Sequence, residues 1–318
     1  MTPPHRRREP PAPPLAAIVG ATASGKSELA MALASRLPVE IVVADSRQVY
    51  RGMDVGTAKP SPAEQRAVRH HLLDLADPSE TFTLAGWLAR ARQLLPEIWE
   101  RGRLPLLVGG TGLYVSALVD GYRLAAQPPS ASLRRELAAD VEQAGLAAVA
   151  ERLATLDPQT AARIDLRNPR RVLRALERVL LNGAALDEPA SEPWPGRLAL
   201  LGVERPRAVL NARIEARAAG MFATGLLEEA SRLRAAGYGP ELAPLTGHGY
   251  REAFHVLDGA WSVERAVAET ARRSRQYAKR QLTWFRRDRR IVWLPAGAEP
   301  AAALAERAAD LIRRLTAG

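Results

Sequence analysis

A chain of 318 residues that is 47% hydrophobic can bury the core of one large or two ordinary domains, and no apolar run approaches the length of a bilayer span. Zero cysteines exclude disulfides, Cys-ligated zinc and thiol catalysis, and fit a reducing compartment such as the cytoplasm. A net charge of +10 suits a polyanionic partner, nucleic acid or an anionic membrane, if the cations cluster; an arginine-rich proteome would instead scatter them.

Residues 1–14 hold six prolines and Arg6-Arg7-Arg8, with almost nothing to bury, and read as a disordered arm. Arginines before an apolar run also outline a signal peptide, but the prolines before Leu15 and Gly25-Lys26 just after argue against it. Leu15 to Gly20 reads as a strand. Gly20-Ala21-Thr22-Ala23-Ser24-Gly25-Lys26-Ser27 then fits G-x-x-x-x-G-K-[ST], and a helical pattern follows through Leu29, Leu33 and Leu37. The glycines let successive N–H groups converge on phosphate oxygens, the helix start adds its dipole and Lys26 a charge. Ser27 is the candidate ligand for Mg²⁺. Which phosphate the loop holds stays open at this point.

Val39 to Ala44 reads as a second buried strand ending in Asp45-Ser46-Arg47-Gln48. Polar groups past the carboxyl end of a parallel strand sit where α/β folds bind ligands. Asp45 there suits a metal ligand, a base or a helix cap. Gly52 to Pro60 reads as a long ordered loop, a kind usually tied to function. His70-His71-Leu-Leu-Asp74 reads as a short strand, and its adjacent histidines point to opposite faces, which disfavours a metal site. An amphipathic helix follows over 83–101, then a strand at Leu104 to Val108 that closes on Gly109-Gly110-Thr111-Gly112. Three glycines around one threonine suggest backbone kept low so that a substrate reaches the Thr111 hydroxyl; a tight turn is the plainer alternative.

Residues 123–197 turn to Ala/Arg/Glu-rich helices and a proline-rich stretch, Glu188 to Pro195, and read as an all-helical insertion. A helix starts near Pro169, and Arg170, Arg171 and Arg174 lie about a turn apart, for phosphate or for Glu177. A strand at Leu198 to Val203 resumes the sheet, and 206–235 reads as helical. Thr246-Gly247-His248-Gly249-Tyr250-Arg251 reads as a flexible loop with aromatic and cationic groups. The helix from Ser262 to about Arg287 carries seven Lys or Arg from Arg272 onward against Glu264 and Glu269, with Tyr277, Trp284 and Phe285 interleaved. That is the footprint of a nucleic-acid contact. A strand at Arg290 to Leu294 and a helix over 299–315 end the chain. The whole reads as an α/β, P-loop NTPase-like parallel sheet flanked by helices, with core segments 15–122 and 198–318 and the helical insertion at 123–197.

Taken together, these motifs make the chain resemble bacterial tRNA dimethylallyltransferases, also called tRNA isopentenyltransferases, from about 15 to 295. Asp45-Ser-Arg-Gln48, Gly56-Thr-Ala-Lys-Pro60, Gly249-Tyr-Arg251 and Gln276-Tyr-Ala-Lys-Arg-Gln-Leu-Thr-Trp-Phe-Arg286 carry the resemblance beyond the P-loop. Ala21, where that family commonly has proline, and His248, where it usually has a branched apolar residue, depart from the pattern. The resemblance implies transfer of a dimethylallyl group from its diphosphate to N6 of adenine 37 of tRNA. Gly20 to Ser27 would hold the diphosphate with Mg²⁺ on Ser27, Asp45 would take the amine proton, and Thr111 would reach the same centre. Contacts to tRNA would come from Asp45, Ser46, Arg47 and Gln48; from Arg134 and Arg170-Arg171-Val172-Leu173-Arg174; from Thr246 to Arg251; and from Lys279-Arg280-Gln281-Leu282-Thr283-Trp284-Phe285-Arg286. The expected state is a monomer with no membrane partner. A P-loop kinase of a nucleoside or small metabolite is the alternative, and a nucleic-acid-binding NTPase switch a second. No four-residue apolar run ends in an acid pair to support hydrolysis; Val42-Val-Ala-Asp45 comes nearest.

Overall fold

A computed structural model describes residues 13–122, 130–182 and 191–316; the arm up to residue 12 and residues 188–190 of the proline-rich stretch lie outside them. β1 (Leu15–Gly20) leads to α1 (Lys26–Ala34), β2 (Val39–Val43), α2 (Pro62–Ala67), β3 (His70–His71), α3 (Leu84–Glu100), β4 (Leu104–Gly109) and α4 (Gly112–Val119). Three helices come next: α5 (Ala131–Leu156), broken at Gly145, α6 (Pro158–Arg163) and α7 (Pro169–Asn182). β5 (Leu198–Glu204), α8 (Arg207–Ala223), α9 (Leu226–Ala235), α10 (Tyr250–Leu257), α11 (Val263–Phe285), β6 (Val292–Pro295) and α12 (Ala305–Thr316) complete the chain.

The strands pair in parallel in the order β3-β2-β4-β1-β5-β6. β1 and β2 are buried along their whole length, as strands covered on both faces must be. Ala16, Ile18, Ile41, Val43, Leu106, Val108, Leu201 and Val203 share one face and pack with Leu29 and Leu33 of α1 and with Ala305, Ala308 and Ile312 of α12. On the other, Trp87 of α3 is fully buried and its Nε1 donates to Val43 O at 3.0 Å. Because every strand is parallel, the loops after β1, β2, β4 and β5 all leave the same edge of the sheet. That edge carries the P-loop, Asp45, the Gly109–Thr111 corner and Arg205.

The chain divides into two compact units, one of residues up to Gly121 and from Pro193, the other Tyr122–Glu192. The second holds α5, α6 and α7 around Leu137, Leu153, Val172 and Leu176. Trp194, expected inside the insertion, belongs to the first: its N–H donates to Val119 O at 2.8 Å and its ring lies 5.7 Å from that of Trp99.

Four expectations change. The helical stretch 206–235 is two helices, because Gly225 takes φ 112° and caps α9. The strand at His70 stops after two residues, since Leu72 and Asp74 adopt φ 66° and 53°. Thr246 to Arg251 is not a flexible loop: a 3₁₀ turn spans Ala243–Thr246, α10 begins at Tyr250, and Tyr250 is buried. Acids from other elements oppose the cations of α11 far more than its own sequence suggests, as described below.

Candidate active site

The P-loop is set by two glycines. Gly20 has φ 146° and a Cβ there would stand 2.9 Å from Val203 O; Gly25 has φ 99° and caps α1. Lys26 Nζ donates to Ala21 O at 2.7 Å, holding the loop closed on itself. Burial, with Arg217 nearby, lowers the Lys26 ammonium to about 7, while Asp45 partly opposes that shift. Ser24 is buried, with its hydroxyl lacking a partner among the described residues, and Ser27 is exposed at the mouth. Ala21 packs with Leu210, Ile214 and Ala218 of α8 and with Ala271 and Ala278 of α11, so an alanine is accommodated there by helix packing. Lys26, Ser27, Ala58, Arg213 and Arg217 border an open cleft of about 370 Å³.

Asp45 stands next to this cleft. Its Oδ1 accepts from Arg47 N at 2.8 Å and Gln48 N at 3.4 Å, and among the described residues Oδ2 carries no bond. The carboxylate is thus held by one oxygen, in a cap, and offers the other. Its charge is felt by Lys26, by Arg217 and by Tyr277. Thr111 Oγ1 accepts from Ser46 N at 3.1 Å and lies beside Tyr277, whose hydroxyl burial pushes to a higher pKa. Asp45, Ser46, Thr111, Tyr277, Lys26 and Arg217 therefore form one neighbourhood at the sheet edge.

The second glycine corner has a different cause from the one read in the sequence. A Cβ at Gly109 would stand 2.0 Å from Ala44 O, at Gly110 2.2 Å from Gln281 Nε2, and at Gly112 2.3 Å from Trp284 Cδ1. These glycines admit β2 and α11, not a substrate. Gln281 is buried, accepts from Thr22 N at 2.8 Å through Oε1 and donates to Gly110 O at 2.9 Å. It ties the P-loop to the second corner and is no exposed tRNA contact.

Several other assigned tRNA contacts are committed to the fold. Phe285 and Tyr250 are buried, Leu282 packs against the α8–α11 cluster, and Val172 fills the core of the helical unit with Leu173 against it. Gln48 Nε2 donates to Thr57 O and Ala58 O at 3.2 and 3.1 Å, holding the loop before Pro60, while Arg47 reaches Ala243 O and Pro244 O. In the helical unit, Glu177 is buried and binds Arg134 at 3.0 Å and Arg174 at 2.6 Å; Arg170 and Arg171 stay exposed behind an Asn168 cap. On α11, Arg272 pairs with Glu269, Arg273 with Glu252 and Arg275 with Glu215, and beyond its end Arg286 pairs with Glu204. Lys279, Arg280, Thr283, Arg287 and part of Trp284 remain at the surface, as do Thr246 and Arg251. His248 lies 5.4 Å from the Tyr277 ring, and burial among Arg273, Arg47 and Arg280 lowers its imidazole to about 4. The histidine pair is structural: His70 bonds Val68 O, and His71 bonds Glu40, which Arg101 also grips.

Three residues at the site, Arg213, Arg217 and Glu229, were not singled out from sequence. Arg213 and Arg217 sit one turn apart on α8, a spacing that puts them on one face. Tyr277, read as an aromatic interleaved among the cations of a nucleic-acid contact, stands here beside Asp45 and Thr111. Glu229, buried in α9, accepts from Asp54 N, Val55 N and Gly56 N at 2.8–3.0 Å and from Tyr250 OH at 2.6 Å. It fixes the loop that leads to Thr57 and Ala58.

Comparison with known proteins follows this geometry. A family profile described as IPP transferase matches residues 48–288, and one described as isopentenyl transferase matches residues 13–79. The chain is 43% identical over 302 residues to the tRNA dimethylallyltransferase of Roseiflexus sp. (strain RS-1), covering 95% of this chain and 98% of that one. It is 44% identical over 310 residues to the tRNA dimethylallyltransferase of Moorella thermoacetica, covering 95% of each. Among solved structures, the full-length tRNA isopentenylpyrophosphate transferase of Bacillus halodurans matches with TM-score 0.68 and 40% identity, over 94% of this chain and 97% of that one. A eukaryotic dimethylallyltransferase crystallised acting on tRNA matches in fold, with TM-score 0.74 at 24% identity, over 90% of this chain and 74% of that one.

Proposed function

This chain belongs to the IPP transferase family, and we propose that it transfers a dimethylallyl group from dimethylallyl diphosphate to N6 of adenine 37 of tRNA, giving N6-isopentenyladenosine. The observation that carries this reading is the shared neighbourhood of Asp45 with Lys26 and Arg217 on one side and with Thr111 and Tyr277 on the other. A carboxylate stands between an anion cradle and a basic helix, where a diphosphate and an RNA base would meet. The kinase alternative finds no support among the named relatives.

The first N–H groups of α1, Lys26 and Arg217 bind the diphosphate and offset the charge that develops as it leaves. Ser27 is exposed beside the cleft and has the donor chemistry for one ligand of a divalent metal that otherwise binds phosphate oxygens and water. Mg²⁺ held there would supply further neutralisation of the departing diphosphate. The exocyclic amine of adenine is a weak nucleophile because its lone pair is delocalised into the ring. Asp45 Oδ2 takes its proton as the new bond to carbon forms, while the Oδ1 bonds to Arg47 and Gln48 keep the carboxylate aimed. Thr111 and Tyr277 line the same centre. The base must leave its stack to enter, at a cost of a few kcal/mol, which contacts from Lys279, Arg280 and Arg251 offset.

The assignment is tested by Asp45→Asn with tRNA affinity measured in parallel. Turnover falls about 10²–10⁴-fold while tRNA stays bound. Near-normal turnover would remove Asp45 from the role of base.

A further inference from the structure

Arg205, the residue after β5, lies under the P-loop and is only 6% exposed, which is rare for a guanidinium. Its Nε donates to Ser24 O at 2.8 Å and its Nη1 to Glu299 O at 2.9 Å and to Gly297 O. Its Nη2 is buried without a partner among the described residues, 3.3 Å from where a Cβ on Gly25 would stand. Among the described residues no carboxylate forms an ion pair with it. Glu28 is engaged by Arg213 and by Ala301 N, and the Glu299 carboxylate accepts from Gly297 N. Burial and Arg213 press against its charge, while the nearby carboxylates of Glu28 and Glu299 favour it without pairing to it. A buried guanidinium with Nη2 unpartnered and no ion pair of its own among the described residues is further stabilised by an anion bound close by.

The backbone geometry points the same way. Ser24 O belongs to the Ser24–Gly25 peptide, and among the described residues no peptide bond is cis. In a trans peptide the N–H and C=O point in opposite directions, so a donor on Ser24 O turns the Gly25 N–H to the other side of the loop. Arg213 Nε does the same one residue earlier, donating to Ala23 O at 2.9 Å. Two guanidiniums thus fix successive carbonyls of the loop, Arg213 from the border of the cleft and Arg205 from the buried side. We propose that Arg205 is a positioning residue for the leaving diphosphate. It braces the Ser24–Gly25 peptide from behind and adds a positive charge that the bound anion completes. It also joins the segment at Gly297–Glu299 to the cradle. This inference rests on the reading of Gly20 to Ser27 as a diphosphate site.

The test titrates inorganic pyrophosphate into the full-length wild type, Arg205→Met and Arg205→Lys by calorimetry, with melting curves of the ligand-free proteins and KM values for both substrates. Arg205→Met weakens pyrophosphate by about 10-fold or more, the scale of a charge-assisted hydrogen bond. KM for dimethylallyl diphosphate rises by about the same factor and KM for tRNA moves less than about 2-fold, with Arg205→Lys recovering part of the loss. Equal pyrophosphate affinity in wild type and Arg205→Met overturns the proposal. So does a joint rise of both KM values with no recovery in Arg205→Lys, which marks a purely structural residue. If Arg205→Met does not fold, an intermediate affinity in Arg205→Lys supports the proposal and an unchanged one overturns it. A silent titration of the wild type overturns the diphosphate reading itself, and the proposal with it.

Discussion

At the scale of single residues, the site depends on charges held against their preference. Lys26 has its pKa lowered from the usual lysine range to about 7 by burial and by Arg217. A lysine whose folded pKa lies below its unfolded one destabilises the fold most where it is charged in both states. That cost is full below pH 7 and is relieved as pH rises from 7 toward the unfolded value, because the unfolded chain then binds more protons. Lys26→Met therefore raises the melting temperature of the ligand-free protein, and by more at pH 6 than at pH 9. A pH-independent difference, or a lower melting point at pH 6, contradicts this account. The diphosphate reverses the balance by giving the ammonium a partner, so the same variant loses pyrophosphate binding. Asp45 is the opposite case: one carboxylate oxygen is fixed by backbone donors and the other left for chemistry.

At the scale of elements, α11 has two roles. Its exposed stripe at Lys279, Arg280 and Thr283, continued past its end by Arg287, faces solvent, and its inner face reaches the P-loop through Gln281 and the second corner through Trp284. Gly112→Ala pushes a methyl group into the Trp284 ring and costs about 1–3 kcal/mol, the usual penalty of overpacking, read as a drop in stability to urea. An unchanged midpoint would show that the helix shifts freely. In α9, Glu229→Ala strands three backbone N–H groups and the Tyr250 hydroxyl, and lowers turnover by loosening the loop that Gln48 and Arg217 hold. Tyr250→Phe, which keeps the three backbone bonds, lowers it less; equal losses would separate the loop from the activity. The strand–glycine–helix order, Asp45 after β2 and the basic helix were legible because each is a local pattern. Gly109, Gly110 and Gly112 were legible as a tight corner but not in their purpose, since what crowds them comes from residues 44, 281 and 284. Glu229, Arg205 and the acids that pair with α11 were not legible, because their partners lie far away in the chain.

At the scale of the whole molecule, each ion pair removes one cation and one anion, so the +10 excess survives pairing, and Lys279 and Arg280 are exposed cations that form no ion pair among the described residues. Binding to tRNA should weaken steeply with salt, and replacing both Lys279 and Arg280 with Gln should reduce the slope of log K against log salt by about 1.4–1.8, one phosphate contact each. An unchanged slope would move the RNA surface elsewhere. Among the described residues no helix is long and apolar enough to cross a membrane. The P-loop by itself reads only phosphates; in the proposed function, a carboxylate at the tip of β2 and a cationic helix braced against the loop make its phosphate a leaving group. The most direct test follows radiolabelled dimethylallyl diphosphate with tRNA and no ATP. The account predicts one pyrophosphate released for each labelled adenine 37, lost together in Asp45→Asn. ATP hydrolysis with no label on adenine would contradict it.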